Sequence, residues 1–346
     1  MGAENQMGPP VFIVGEQRSG SNLLRVMLNQ HSKLAAPHPP HFLERFMPLM
    51  PQYGHLDRKS AMAVLVDDVC RFVEANPVPW AMDGPLSRVG VLERCRGEEG
   101  LLGVYEAIMS EYAEHQNAER WVCKSLQNIR WVEELERHFE RRAQYLYLRR
   151  DGRDVCFSFM NGFIGDKHPY CIGRRWQAIQ DSCLAAEAAL GGARFHQLSY
   201  EELVRAPEKT LERVCDFLEV PFEDGMLRYH EGEEAQRAAQ MSAQWETVSQ
   251  PVTSDRVGRG VESLSREEVA LFEAAAYGGL ERLEYGLLTD EGEREGLADA
   301  EAVKQYEAEN KAKMEASQSR MDRADAARRA QQTAVIDEIV GRMATP

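Results

Sequence analysis

A chain of 346 residues, 43% of them apolar, is long enough to bury a substantial core. Its 56 acidic residues outnumber 41 lysines and arginines, for a formal net charge of −15. That balance excludes the broad positive field of a nucleic-acid binder or a receptor for large polyanions, and leaves room for a local basic pocket.

The first predicted element is VFIVG (11–15), a short β-branched run ending in glycine that reads as a buried parallel strand. SNLLRVMLNQHS (21–32) places Leu24, Met27, Leu28 and His31 at helical spacing, which gives strand, tight loop and helix. AAPHPPHFLERF (35–46) is a proline-rich turn into a second helix, and residues 56–120 read as mainly helical, broken by NPVPW and RGEEG. RWVCKSL (120–126) reads as a strand end and AQYLYLRR (143–150) as a strand. DGRDVCFSFMNGF then opens a helix, with Asp151 as N-cap and Asp154 in its first turn. RFHQLSYEELVRAPEKTLERVCDFLEV (194–220) is a further strand followed by two helices, Pro207 starting the second. Strands alternating with helices predict an α/β fold around a parallel sheet.

After about residue 290 the composition shifts to Ala, Glu, Lys and Arg, with Glu307–Lys311 and Glu309–Lys313 pairs at helical spacing. This predicts a C-terminal helical extension over 289–346, set apart from a main domain over 10–288. Its apolar stripe is strongest at Val335, Ile336, Ile339, Val340 and Met343. Two readings stay open: a solvated helix that packs across the body, and an arm that joins copies into a homo-oligomer.

Cys70, Cys95, Cys123, Cys156, Cys171, Cys183 and Cys215 are odd in number and scattered, with no C-x-x-C pair. This suits reduced, mostly buried thiols in a cytoplasmic protein rather than disulfides or a zinc site. No basic stretch leads into an apolar core at the N-terminus, so no signal peptide is expected. No apolar run reaches the ~18 residues of a membrane span, and Gln6 stands where N-myristoylation needs Ser or Thr.

The loop after the first strand carries the first chemistry. Gly15 and Gly20 have the Walker separation, but Ser21 and Asn22 stand where lysine and Ser/Thr are required. Small residues here let backbone N–H groups approach an anion at a helix N-terminus. Arg18 adds a fixed positive charge, and Ser19, Ser21 and Asn22 add donors. No Mg²⁺ ligand set lies nearby in sequence, so the expected anion is one transferred without a metal. The alternative is a plain βα turn that needs glycine.

A second anion site is expected where YLYLRRDGRDVCFSF sets Arg149 and Arg150 at a strand end and Ser158 on the next helix. The competing reading is a salt-bridged corner of Arg149, Arg150, Arg153, Asp151 and Asp154, Arg153 and Asp154 above all.

Together these segments resemble a known family. VGEQRSGSNLL resembles the 5′-phosphosulfate loop of sulfotransferases that use PAPS (3′-phosphoadenosine 5′-phosphosulfate). LRRDGRDVCFSF is similar to their 3′-phosphate motif, with Arg150 and Ser158 at the family's spacing. LSYEELVRAPEKTLERVCDFLEVP (198–221) resembles the segment that places a tyrosine, here Tyr200, near the adenine. VGRGVESLSREEVALFEAAAYGGLERLEYGL (257–287) is similar to the C-terminal segment of the bacterial branch, where Arg259 would complete the 3′-phosphate site. The resemblance covers residues 10–288. It implies a three-layer P-loop-like fold and transfer of a sulfuryl group from PAPS without a metal. Arg18 and Lys124 would stabilise developing charge; Lys124, in VCKSL, matches the lysine that precedes the 3′-phosphate strand.

The usual base is missing from both of the family's positions, which are Leu126 and Pro39 here. His41, His38 and Glu44 remain as candidates. His41 is preferred because it precedes the apolar Phe42–Leu43 anchor and because an imidazole titrates near neutrality. Glu44, one helical turn on, would orient it or replace it. His38 is expected to be a bystander.

Residues 38–120 and NGFIGDKHPYCIGRRW (161–176) fit no shared motif and would shape the acceptor pocket. Phe42, Phe46, Met47, Met50, Tyr53, Trp80, Phe163, Tyr170 and Trp176 are candidates for an apolar wall, although such residues are more often core. The expected acceptor is a small or lipid-like alcohol or phenol, neither a nucleic acid nor a sulfated glycan. A nucleotide-dependent P-loop kinase and a catalytically silent PAPS-binding relative are the competing readings.

Overall fold

The computed structural model describes residues 7–56, 58–95, 100–242 and 245–344. Strands β1 (Val11–Gly15), β2 (Leu34–Ala35), β3 (Arg120–Cys123), β4 (Gln144–Arg149) and β5 (Phe195–Ser199) form one sheet. Its order is β2-β3-β1-β4-β5 and every pairing is parallel. The α/β, three-layer P-loop-like architecture expected from the sequence is the one observed. The two-residue strand β2 falls between the helix read over 21–32 and the start of the proline-rich turn at Ala35, and too few residues pair there to leave a pattern.

β1 is buried along its whole length and divides its side chains by strand alternation. Phe12 and Val14 enter one core, with Tyr105, Ile108 and Trp121; Val11 and Ile13 enter the other, with Leu24, Leu211 and Val214. Helices cover both faces. α1 (Ser21–Leu28), α2 (Phe42–Phe46), α3 (Lys59–Glu74), α4 (Arg88–Arg94), α5 (Gly100–His115) and α6 (Val132–His138) come from the first half of the chain. α7 (Gly152–Asn161) and α8 (Pro169–Leu190) follow β4, and α9 (Tyr200–Arg205), α10 (Pro207–Leu218) and α11 (Glu233–Met241) follow β5. α12 (Arg259–Ser263) packs on α7 and α13 (Arg266–Arg282) on α8, and Val155, Trp176 and Phe272 form a third core there.

α1 is shorter than its sequence pattern. It ends at Leu28, and His31 lies beyond it with ring contacts to Pro221 O at 2.8 Å and the Lys33 backbone N–H at 3.0 Å. Asp151 caps α7 as expected, accepting from the Arg153 backbone N–H. The break at NPVPW falls between α3 and α4; most of RGEEG lies outside the described residues.

The C-terminal extension is three helices, α14 (Glu291–Arg294), α15 (Ala300–Gln318) and α16 (Arg323–Met343). α15 packs on α8, where Asn310 Oδ1 accepts the backbone N–H groups of Lys167 and His168 at 2.6 and 3.0 Å. Asp322 caps α16 through Ala324 and Asp325 N–H, and that cap redirects the chain onto α3. Ile339 is fully buried in the first core, with Val335, Ile336 and Met343 packed beside it. Arg342 pairs with the buried Asp68, which also accepts from Tyr53 Oη at 2.8 Å. The apolar stripe therefore seats α16 on this chain's own body, leaving Val340 43% exposed. No helix among the described residues is long and apolar enough to cross a membrane.

Candidate active site

The order of the sheet places the site. The chain goes from β1 to one side for β2 and crosses to the other for β4, so the carboxyl ends of β1 and β4 flank a switch point, where parallel sheets hold ligands. At the end of β1 a side chain on Gly15 would meet Leu148 O at 2.4 Å. The loop then turns through left-handed conformations at Arg18 (φ 68°) and Gly20 (φ 86°). A Cβ on Gly20 would also lie 2.4 Å from the Tyr200 ring, so both conformation and space demand glycine. No side chain caps α1, and its first N–H groups stay available to an anion.

The two motifs, far apart in sequence, meet directly. Arg18 Nε donates to Ser158 Oγ at 3.0 Å. Arg150 Nη1 donates to Arg18 O at 3.0 Å and its Nη2 to Arg256 O at 2.5 Å. The Arg150 guanidinium lies 4.3 Å from the centroid of the Tyr200 ring, which itself packs under Gly20. Burial, with Arg256 and Arg150 close by, pushes the Arg18 pKa down to about 10, so it stays charged at neutral pH.

The salt-bridged corner exists beside this site rather than in place of it. Arg153 is held by Asp151, by Glu273 at 3.0 Å and by Gly286 O at 2.8 Å. Asp154 accepts from Gly258 and Gly260 N–H at 3.0 and 2.7 Å, and so fixes the loop that carries Arg256 and Arg259. Arg149 stacks on Tyr285 at 5.4 Å and does not line the cavity.

A cavity of about 660 Å³ opens over these residues. Arg18, Gly20, Ser21, Asn22, His41, Glu44, Lys124, Arg150, Ser158, Tyr200 and Arg259, all singled out in the sequence, line it. Ser19 does not: its side chain is buried, with Oγ unpartnered among the described residues. The aromatic wall expected for the acceptor is not there. Phe42, Phe46 and Trp176 are fully buried, Tyr53 and Tyr170 are 8% exposed, and none of the nine candidates lines the cavity.

The lining residues that sequence reasoning missed include Arg45, Phe72, Trp245, Arg256, Arg329 and Gln332. The run of arginines in DRVGRG was a signal for Arg256; Trp245 and Arg329 sit in segments with no motif.

The end of the cavity away from Arg150 and Arg256 holds the candidate bases. His41 adopts a left-handed conformation (φ 55°), and its backbone N–H donates to Ser125 Oγ at 3.0 Å. Burial, then Lys124, Arg45 and Arg329, push its pKa down to about 3, so the near-neutral titration expected from the sequence is not met: the ring is neutral at physiological pH but weakly basic until an anion at the site offsets those cations. His38 is less of a bystander than its sequence context implied. Asn76 donates Nδ2 to Pro39 O and receives the Val78 N–H at Oδ1, so the 2.9 Å contact to His38 Nδ1 makes that nitrogen the donor. Nε2 is then the lone-pair nitrogen, buried without a partner. Glu44 is exposed at the rim. Lys124 has its pKa pushed down to about 7, by burial first and then by Arg25 and Arg18.

The fold and cleft define a P-loop-like α/β class with a basic cavity at the switch point, where Ser21 stands in the place of a Walker lysine and Arg18 and Arg150 supply the charge. The chain belongs to the sulfotransferase family: the family's model matches residues 9–224, more than half of its length. Protein-tyrosine sulfotransferase A of Caenorhabditis elegans is 24% identical over 287 residues, covering 79% of this chain and 66% of that one. The protein-tyrosine sulfotransferase of Drosophila melanogaster is 22% identical over 241 residues, covering 66% of this chain and 41% of that one. The chain thus spans less than two thirds of the length of these relatives. A solved sulfotransferase domain from the curacin biosynthetic pathway shares the fold, with a TM-score of 0.55 at 21% identity over 81% of this chain and 99% of that domain.

Proposed function

We propose that the protein transfers a sulfuryl group from PAPS to a hydroxyl of a small acceptor. The observation that carries this reading is the 3.0 Å bond between Arg18 and Ser158, which joins two anion-binding motifs into one cavity. The donors left over in it fit an anionic guest: Asn22 Nδ2 and Arg150 Nε are buried with no partner among the described residues. Gly20, Ser21, Asn22 and Arg18 would hold the 5′ phosphosulfate, and Arg150, Ser158, Arg256 and Arg259 the 3′ phosphate, beside Tyr200. When bound, PAPS supplies a sulfuryl group on a phosphate leaving group. Arg18 and Lys124, both largely buried, place positive charge where negative charge develops. The neutral His41 imidazole, with His38 beside it, accepts the acceptor's proton.

Lining by Phe72, Leu126 and Trp245 next to Arg45, Glu44 and Arg329 suits an amphiphilic alcohol or phenol rather than a wholly apolar one. Calorimetry tests the nucleotide. Adenosine 3′,5′-bisphosphate should bind without Mg²⁺, and Arg150→Ala or Arg259→Gln should weaken it by about 10- to 100-fold, as for a lost charge-assisted contact. Tight binding of ATP–Mg²⁺ that ignores both substitutions would overturn the reading in favour of a kinase.

The base is tested by sulfuryl transfer. His41→Ala should lower kcat by about 100-fold or more, while Glu44→Ala leaves it within a few-fold. If His41→Ala is mild and His38→Ala is severe, the proton goes to His38 Nε2 instead. A wild-type protein that binds the nucleotide and transfers nothing to any hydroxyl would be a silent relative.

A further inference from the structure

Helix α16 lies beyond the stretch that matches the family, yet Arg329 and Gln332 on it line the same cavity. Arg329 is held as a binding group rather than as a loose surface cation. Its Nε donates to Asp325 Oδ1 at 2.8 Å, and Asp325 is itself fixed by Ser242 Oγ at 2.6 Å. Its guanidinium lies 5.2 Å from the centroid of the Trp245 ring, whose edge meets His38 at 4.7 Å. Gln332, one turn on, donates to Phe72 O at 3.1 Å and pins the helix across the cavity. With these contacts made, Arg329 Nη2 is enclosed with no partner among the described residues, while the side chain as a whole keeps 25% of its surface exposed along the cavity. A buried guanidinium N–H left unpaired in a polar cavity calls for an acceptor atom from a guest.

Its position says which guest. The cations that act on Arg18 are Arg256 and Arg150, whereas those that act on His41 are Lys124, Arg45 and Arg329. Arg329 therefore belongs to the end with the proton-accepting histidines, where the hydroxyl substrate sits, and not to the phosphate end. Its charge is already shared with Asp325, and Glu44 also lines the cavity, so a single negative charge fits there better than a dianion.

We propose that Arg329 selects acceptors that carry a carboxylate as well as the hydroxyl that is sulfated. The carboxylate accepts from Arg329 Nη2 over the Trp245 face, with Arg45 adding charge at the rim, and this fixes the hydroxyl toward His41. The inference rests on the sulfotransferase reading for the identity of the reaction and on α16 for the specificity.

The test measures binding. The protein is saturated with adenosine 3′,5′-bisphosphate and titrated with hydroxylated acids, each paired with its primary amide: para-hydroxyphenylacetate, para-hydroxybenzoate and a long-chain hydroxy fatty acid. At least one acid should bind about 10- to 100-fold more tightly than its amide, as one charge-assisted contact provides. Arg329→Gln should remove that preference and Arg329→Lys should keep part of it, with nucleotide affinity unchanged in both. No preference in any pair, or a preference that survives Arg329→Gln, would overturn the proposal. If Arg329→Gln also weakens the nucleotide, Arg329→Lys decides: a retained preference supports the proposal and a lost one refutes it. The same pairs are run without nucleotide. Wild-type protein that fails to bind adenosine bisphosphate but still prefers the acids retains the Arg329 site and loses the sulfotransferase reading.

Discussion

Lys124→Ala should lower kcat for sulfuryl transfer by about 100- to 1,000-fold, the loss seen when one donor to developing charge is removed. Its pH signature separates this role from a packing effect. In the free protein the ammonium is destabilised by burial, by Arg25 and by Arg18, so its pKa is pushed down from the usual lysine value to about 7. A lysine with a lowered pKa loses its charge as pH rises through that lowered value. If the charged form is needed, kcat/KM, which reports the free protein, should fall about tenfold per pH unit above about 7. kcat reports the complex, where an anion beside Lys124 restores the ammonium, so its decline should begin at higher pH. Lys124→Arg keeps the charge across the range and should flatten the kcat/KM profile. Paired pH–rate profiles of the wild type and Lys124→Arg measure this. Identical alkaline limbs in the two would assign the titration to another group.

Arg18→Ala should cost about 1,000-fold in kcat, again the scale of a lost charge-stabilising group in a shielded site. The structure predicts a graded series rather than a single loss. Arg18 stays protonated at pH 7 despite burial and two neighbouring arginines, because its pKa falls only to about 10. A lysine in the same place starts from a lower pKa and meets the same opposition, so Arg18→Lys should retain activity at acid pH and lose it toward alkaline pH. Ser158→Ala removes the partner of Arg18 Nε at 3.0 Å but not its charge, and should cost kcat about tenfold or less. If Arg18→Ala raised KM and left kcat unchanged, Arg18 would be a ground-state binding group with no role in the transfer step.

Much of the cavity's basic end was legible in the sequence, for local reasons. β1, its loop and α1 are contiguous, as are β4 and α7. The spacing of Gly15 to Gly20 and of Arg150 to Ser158 therefore records geometry directly. The central strand and its neighbour were equally plain, because a strand buried on both faces is an unbroken apolar run. What stayed hidden came from three causes. β2 pairs through only two residues and has no period to detect. Ser19 and Arg149 belong to the right motifs, but a one-residue change of direction turns them into the core and onto Tyr285. Trp245 and Arg329 reach the cavity by long-range packing of α16 on α3 and on the segment before α12, and no local pattern encodes such a contact. The misplaced aromatic wall has the same origin: composition shows how many large apolar residues there are, but not which face of an element meets the cavity.

The split of the cavity between early and late segments also sets an order of assembly during synthesis. Every residue proposed to hold the nucleotide, from Arg18 to Arg259, has been made well before Arg329 and Gln332 exist. Domains fold as units from the N-terminus while translation continues. The nascent chain can thus complete a nucleotide pocket while the acceptor end remains an open mouth. If Arg329 selects the acceptor, that selectivity arrives only when α16 closes the mouth by burying Ile339.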